Sequence, residues 1–390
     1  MPWREVSAMD ERREFVRLAM MEGVNRRELC RRFGISPDVG YKWLRRAEAG
    51  DEALVDRSRR PVTSPGRTVC EVEAAVLAER DAHPAWGARK IARRLAGRGI
   101  VPPAVSTAHA ILARHGRIAP PARADKALGR FERAVPNELW QMDFKGWVRL
   151  TNGQICHPLT VIDDHSRFSP CVQACADQRG DTVRSRLSAV FRRYGLPQAL
   201  FVDNGPPWGF SGDERWTRFG VWLLKLGIDV VHSRPYHPQG RGKNERFHRT
   251  LKAEVLALNP LADLDKAQRA FDRWREVYNF DRPHEALDLE PPAGRWRPSS
   301  RPMPEALPEV RYDEDELVRR VWPTKACISF KGRTWRVPRA FQGEPVAVRP
   351  LDRDGRYGIF FGSRRIANID LTCPGSVSHV SEQPSVMSPV

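Results

Sequence analysis

The chain is 390 residues long and carries 65 Lys plus Arg against 48 Asp plus Glu, a formal net charge of +17, with a pI near 10.1 and a mean hydropathy of −0.53. It has no run of about 18 apolar residues and no signal peptide, which argues against a membrane or secreted protein and for a soluble, cytoplasmic one. The seven cysteines form no disulfide-like framework. Cys171 and Cys175 lack histidine partners at zinc-site spacing and are expected to be buried thiols. Before residue 136 there are 27 basic and 17 acidic side chains, so the excess is concentrated in the first third, where it suits a polyanionic partner.

In chain order, residues 1–55 predict three helices, over Glu11–Met21, Arg26–Phe33 and Pro37–Ala47, with Ser36 and Pro37 as N-cap and first-turn pair of the third. This is a helix-turn-helix pattern. Leu29, Phe33, Ile35, Trp43 and Leu44 would make its small core, leaving Asp38, Tyr41, Lys42, Arg45 and Arg46 to face a DNA major groove. A basic linker carrying Arg57, Arg59 and Arg60 follows. A second helical unit is expected over 68–116, containing Arg89 and Lys90, and then a connector over 117–135.

From 136 to 296 the pattern becomes α/β. Leu139–Phe144 alternates as a strand, and His157–Asp164 reads as a second strand after the turn at Asn152-Gly153. Thr182–Tyr194 has helical spacing and stops at Gly195. Ala199–Val202 is a short apolar run that reads as a buried strand delivering Asp203 at its carboxyl end, where ligands of open α/β sheets bind. A helix starting near Gly242 would bury Phe247, Leu251, Val255 and Leu258 as one stripe and expose Glu245, Arg249 and Lys252 on another face. After a Pro-rich boundary, alternating segments at 326–330, 334–337 and 357–361 predict a small β-barrel within 309–372. Residues 374–390 have the composition of a disordered tail.

Three acids stand in distinctive surroundings: Asp143 in Leu-Trp-Gln-Met-Asp-Phe, Asp203 in Phe-Val-Asp-Asn-Gly, and Glu245 in His-Pro-Gln-Gly-Arg-Gly-Lys-Asn-Glu-Arg-Phe-His-Arg-Thr-Leu-Lys. From about Pro136 to Trp296 these motifs resemble the catalytic core of DDE transposases and retroviral-type integrases, in particular bacterial insertion-sequence transposases. His83-Pro84-Ala85-Trp86-Gly87-Ala88-Arg89-Lys90-Ile91 is similar to a stretch of those transposases' second helix-turn-helix, with Ser106–Arg114 as its recognition helix. Tyr278–Leu287 resembles the segment that closes their core, where His284 is expected to be structural. The resemblance implies all-α helix-turn-helix N-terminal domains and a ribonuclease-H-like core. It also implies that Asp143, Asp203 and Glu245 are catalytic residues holding two Mg2+ or Mn2+ ions.

The chemistry fits such a triad. In-line phosphodiester displacement needs charge neutralisation on attacking and leaving oxygens, which two divalent cations roughly 3.5–4 Å apart supply. Hard cations of this kind take carboxylate oxygen. Residue by residue, blander readings exist. Asp203-Asn204-Gly205 is also a turn signal, Glu245 could merely pair with Arg249, and Asp163 and Asp164 compete with Asp143 as strand-end acids. Asn204 and His248 are candidate helpers or structural hydrogen-bonders. The Asp203–Glu245 interval holds 41 residues, longer than the roughly 35 common in the family, and the excess is assigned to a Pro/Gly-rich loop at 206–213. Arg57, Arg59, Arg60, Arg89, Lys90, Lys243, Arg249 and Lys252 are expected DNA contacts. The implied protein binds double-stranded DNA at element ends and target, acts as a homo-oligomer on DNA, and works on bacterial nucleoid DNA. An inert DNA-binding regulator and a structure-specific nuclease are the alternatives.

Overall fold

The computed structural model describes residues 7–56, 66–118, 132–209, 216–232, 242–258 and 260–372. Arg57, Arg59, Arg60, His237-Pro238-Gln239, most of the 117–135 connector and the 374–390 tail lie outside these. The chain divides into two compact units, 1–67 and 68–390. Among the described residues no helix is long and apolar enough to cross a membrane.

The first unit holds α1 (Ala8–Ala19), α2 (Arg26–Arg32) and α3 (Pro37–Ala47). Each begins at a polar N-cap whose side chain accepts from a first-turn N–H: Ser7, Asn25 and Ser36, which satisfies amides the helix leaves unpaired. Phe15, Ala19, Leu29, Cys30, Trp43, Leu44 and Leu54 form the core, with Phe33 and Ile35 half-buried at its edge. Gly40 allows α3 to close on α1 and α2, because a Cβ there would meet the Cys30 thiol and lie 2.9 Å from Phe15 Cζ.

The second unit opens with α4 (Cys70–Ala82), α5 (Ala88–Gly97) and α6 (Val105–Arg114). They pack around Val76, Trp86, Ile91, Leu95, Ala108, Ile111 and Leu112. Buried Glu73 holds the end of α6, accepting from Arg114 at 2.7 Å and lying 2.7 Å from His115 Nε2.

The central sheet comprises β1 (Leu139–Phe144), β2 (Val148–Arg149), β3 (Ile155–Asp163), β4 (Cys171–Cys175), β5 (Ala199–Val202) and β6 (Asp229–His232). Its order is β2-β3-β1-β5-β6, with β4 also pairing β3. β1 runs antiparallel to β3 and parallel to β5, and β5 runs parallel to β6. This is the mixed sheet of a ribonuclease-H-like fold. Side chains alternate along each strand. Trp140, Met142, Leu159, Val161, Leu200 and Val202 enter a core shared with α7 (Gly180–Tyr194) and α8 (Arg218–Lys225). Ile162 and Val172 enter another, with Phe247, Leu251 and Val255 from α9 (Gly242–Leu251) and its extension and Phe271 and Trp274 from α10 (Leu264–Glu276). Gly195 ends α7 at φ 80°, and a Cβ there would stand 2.7 Å from the Ser299 carbonyl oxygen, so glycine is required by both backbone and neighbours.

Two expectations need correction. Leu258 is 44% exposed instead of completing the α9 stripe, because residues 252–256 form a π-helix. Its wider turn changes the phase of every residue beyond it. The C-terminal region also shows no closed barrel. β7 (Leu317–Arg320), β10 (Pro345–Pro350), β11 (Arg356–Phe361) and β12 (Arg364–Asp370) form an open antiparallel sheet of order β12-β11-β10-β7. The hairpin of β8 (Cys327–Phe330) and β9 (Arg333–Arg336) makes ladder pairing only within itself among the described strands. It contributes Ile328, Phe330 and Trp335 to the sheet's core, so side-chain cover takes the place of edge-to-edge pairing.

The segment after α10 is fastened by a buried ion pair, Arg282 Nε to Glu254 at 2.8 Å with side chains 6% and 9% exposed, and Trp274 Nε1 donates to the same carboxylate. Removing one partner strands the other charge. Arg282→Met is expected to destabilise the protein by about 3 kcal/mol, and Glu254→Gln/Arg282→Met by less; urea unfolding checks both. His284 accepts from the Ala286 N–H. Burial, with Arg282, Arg167 and Lys90 nearby, pushes its imidazole down to about 3. Its folded value lies below its unfolded 6.5, so acid protonates the unfolded chain first, and stability present above pH 6.5 is lost as pH falls toward 3. His284→Asn, which keeps an acceptor, should lose less melting temperature than wild type between pH 7 and 4.5.

Candidate functional site

The register of the central sheet places two of the three acids. β1 and β5 pair as Leu139 with Ala199, Trp140 with Leu200 and Gln141 with Phe201. Asp143 and Asp203 each lie two residues past the last of these pairs. They therefore occupy equivalent places at the carboxyl ends of adjacent parallel strands, whose axes are roughly 4.8 Å apart. Since Trp140 and Met142 point toward α7, alternation turns Gln141 and Asp143 toward α9.

α9 is tied to the same place. His248, buried, lies 2.7 Å from Thr160 Oγ1 through Nε2, and the Thr160 hydroxyl donates to the Asp143 carbonyl oxygen at 2.9 Å. Thr160 is also the β3 residue opposite Asp143. With its hydroxyl proton used on that carbonyl, Thr160 accepts from His248, which fixes the Nε2–H tautomer. His248 thus joins the helix of Glu245 to the strand of Asp143 and does not face solvent. Glu245 lies one turn before it, exposed.

The carboxylates are oriented differently from one another. Asp203 Oδ1 accepts from the Gly205 N–H at 3.0 Å and from the Trp208 indole N–H, and Trp208 stacks on Phe144 at 5.5 Å. Asp203 is thereby turned to its own loop, and Asn204 beside it is exposed. Among the described residues no three His, Cys, Asp or Glu side chains are grouped to hold a metal ion. The fold brings together the strands of Asp143 and Asp203 and the helix of Glu245.

The two competing acids are structural. Asp163 is fully buried and accepts from the Asn137 N–H at 2.8 Å, the Ser166 N–H at 2.7 Å and the Ser166 hydroxyl at 2.6 Å. Burial pushes its carboxyl up despite these donors. Asp164, also fully buried, accepts from the Arg133 N–H at 2.8 Å, from Gln141 Nε2 at 2.7 Å and from the Lys243 ammonium.

Two expected DNA contacts are therefore corrected. Lys243 is engaged by Asp164, its side chain 16% exposed, and burial pulls its ammonium down to about 8. Lys90 is 7% exposed and lowered to about 8, chiefly by burial and then by Arg282. A lysine needs a partner to be buried, and a local pattern does not name one 79 residues away. Arg89, Arg249, Lys252, Tyr41, Lys42 and Arg45 are exposed. Arg46 is half-buried, its guanidinium 4.9 Å from the Trp43 ring centre and 3.5 Å from the Val55 carbonyl oxygen. Thr160, Gln141 and Trp208 are site residues that sequence reading misses. Their signal is positional only: Gln141 stands two before Asp143, and Trp208 five after Asp203.

Comparison with known proteins gives a consistent order of matches. A helix-turn-helix domain model matches 11–61 and a homeodomain-like model 39–112. Integrase core domain models match 133–238 and 226–292, and the C-terminal domain of IS481 family transposases matches 316–375. An uncharacterized protein of insertion element IS476 from Xanthomonas euvesicatoria is 31% identical over 162 residues, covering 41% of this chain and 44% of that protein. One of insertion element IS407 from Burkholderia multivorans is 28% identical over 159 residues, covering 41% and 55%. The chain thus spans about half the length of these two relatives. The catalytic core domain of BIV integrase superposes with a TM-score of 0.32 at 22% identity, covering 40% of this chain and 92% of that one. Helix-turn-helix, integrase-core and IS481-transposase C-terminal matches thus follow one another along the chain, a domain order that supports a DDE transposase or integrase.

Proposed function

We propose that this protein is a DNA transposase that binds the terminal repeats of an insertion element, cleaves its ends and joins the freed 3′-hydroxyls to target DNA, with Asp143, Asp203 and Glu245 as the catalytic carboxylates. The observation that carries this reading is the equal offset of Asp143 and Asp203 past the paired register, with the helix of Glu245 tied to the Asp143 strand through His248 and Thr160. All three donors are carboxylate oxygens, which suits magnesium or manganese. Two such ions would supply charge neutralisation at the attacking and leaving oxygens.

The remaining roles fall to the chain's own side chains. Arg249 and Lys252, on the exposed face of the Glu245 helix and its extension, would hold backbone phosphates beside the acids. Tyr41, Lys42 and Arg45 on α3 would meet the major groove, and Arg89 would add a phosphate contact. Water is the first nucleophile, breaking the P–O3′ bond at the element end to leave a 3′-hydroxyl. That hydroxyl then attacks a target phosphorus, forming one P–O bond as another breaks. Joining two ends to one target calls for more than one copy on the DNA.

The test incubates wild type and Glu245→Gln with Mg2+ or Mn2+, DNA bearing candidate terminal repeats and a supercoiled target. Joined products are expected for wild type, with a loss of at least about a hundredfold in the variant and DNA binding retained. Cutting without joining would make the protein a nuclease, and binding without chemistry in either protein would make it a regulator. Lys42→Ala and Arg45→Ala should each weaken end binding and reduce the salt dependence by about 0.9 in the log–log slope per lost phosphate contact, or relax base preference where a base edge is lost.

A further inference from the structure

We infer that Lys243 is a positioning residue, the end of a buried polar strut that runs from the Asp143 strand through Gln141 and Asp164 to the first turn of the Glu245 helix. This rests on the transposase reading for its purpose but not for its geometry. Gln141 stands two residues before Asp143 and donates to Asp164 Oδ1 at 2.7 Å. The Lys243 ammonium, two residues before Glu245, donates to that same oxygen. The second oxygen of Asp164 accepts from the Arg133 N–H at 2.8 Å, so the carboxylate cannot turn without losing several bonds. The Asp164 side chain is fully buried and that of Lys243 is 16% exposed. In that setting a pair is rigid, because breaking it leaves an uncompensated charge out of water.

The strut and the His248–Thr160 bond hold α9 at two points, five residues apart and on either side of Glu245. One point fixes the helix axis over β3 and the other fixes its rotation, since Lys243 and His248 project from different sides of the helix. Glu245, exposed between them, is thereby set relative to Asp143 by bonds that neither carboxylate makes. Lys243 beside a catalytic glutamate suggests a phosphate contact from sequence alone; its burial against Asp164 assigns it inward instead.

Lys243→Met alone leaves Asp164 charged, buried and short of a partner, so the variant could unfold for trivial reasons. The informative variant is Lys243→Met/Asp164→Asn, which removes both charges together and keeps an amide oxygen at 164 as an acceptor for its remaining donors. It is compared with Lys243→Arg, wild type and Glu245→Gln by melting temperature, end-DNA affinity, amide hydrogen exchange, and cleavage as a function of Mn2+ concentration. The double variant should melt within a few degrees of wild type and bind DNA with unchanged affinity and salt slope. Amides of 242–247 should exchange at least tenfold faster while the strand amides do not, cleavage should fall at least tenfold, and half-saturating Mn2+ should rise. Lys243→Arg should restore protection of 242–247 and most of the cleavage.

Unchanged exchange at 242–247 in a folded double variant overturns the inference. So does a loss of DNA affinity with a shallower salt slope, which would make Lys243 a phosphate contact. Absence of metal-dependent cleavage in wild type, or full cleavage by Glu245→Gln, sinks the transposase reading alone, and the exchange measurement still decides the strut.

Discussion

Buried on both faces and hydrogen-bonded on both edges, β1 has no freedom to send a side chain to the wrong side. The two-residue period of a strand does the sorting. Trp140 and Met142 go into the apolar core under α7, so Gln141 and Asp143 must emerge on the opposite face, where α9 lies. A one-residue slip in register would carry Asp143 into that core and bring Met142 out to the site. The apolar contacts of Trp140 and Met142 thus orient a carboxylate they never touch. The parallel partner β5 repeats the device, with Leu200 and Val202 facing the same core and Asp203 following immediately after.

Around this frame the polar groups divide into those that hold and those that remain available. Asp163, Asp164, His248, Thr160 and Gln141 hold, each engaged by named donors or acceptors within the protein. Glu245, Arg249 and Lys252 remain exposed on one helix and its extension. Asp143 and Asp203 sit between, half-buried, at the boundary where a polyanion and its counter-ions would have to arrive. Holding groups in the dry interior and reacting groups at its rim is how a site gains precision without burying unpaired charge.

The legible and illegible features separate on physical grounds. Strands over 139–144 and 199–202, the helix ending at Gly195 and the three helices of the first unit follow from short-range signals: alternation, apolar runs, caps and glycine. The candidate acids are legible because each sits inside a contiguous motif. Lys243 and Lys90 are misread because burial depends on partners distant in sequence, Asp164 for the first and the 254–285 region for the second. Leu258 fails because a π-helix changes the phase without any local sequence warning. Barrel closure fails for a different reason. Alternation announces strands, but the pairing of first with last is decided by where the β8–β9 hairpin packs.

The contact between α5 and the segment following α10 has a consequence for scale. Arg94 bonds Asp281 at 2.7 Å and Arg93 bonds Glu290 at 2.6 Å, with Val277 packed against the core of the second helical unit. That unit and the central sheet therefore belong to one compact body. Under the proposed transposase reading, the distance from any DNA held by that unit to the phosphate at the acids would be a fixed length of protein, a ruler that measures DNA in base pairs. Because its fastening consists partly of half-exposed ion pairs, the stiffness of that ruler depends on ionic strength, and on the same reading the exactness of the cut would depend on salt with it.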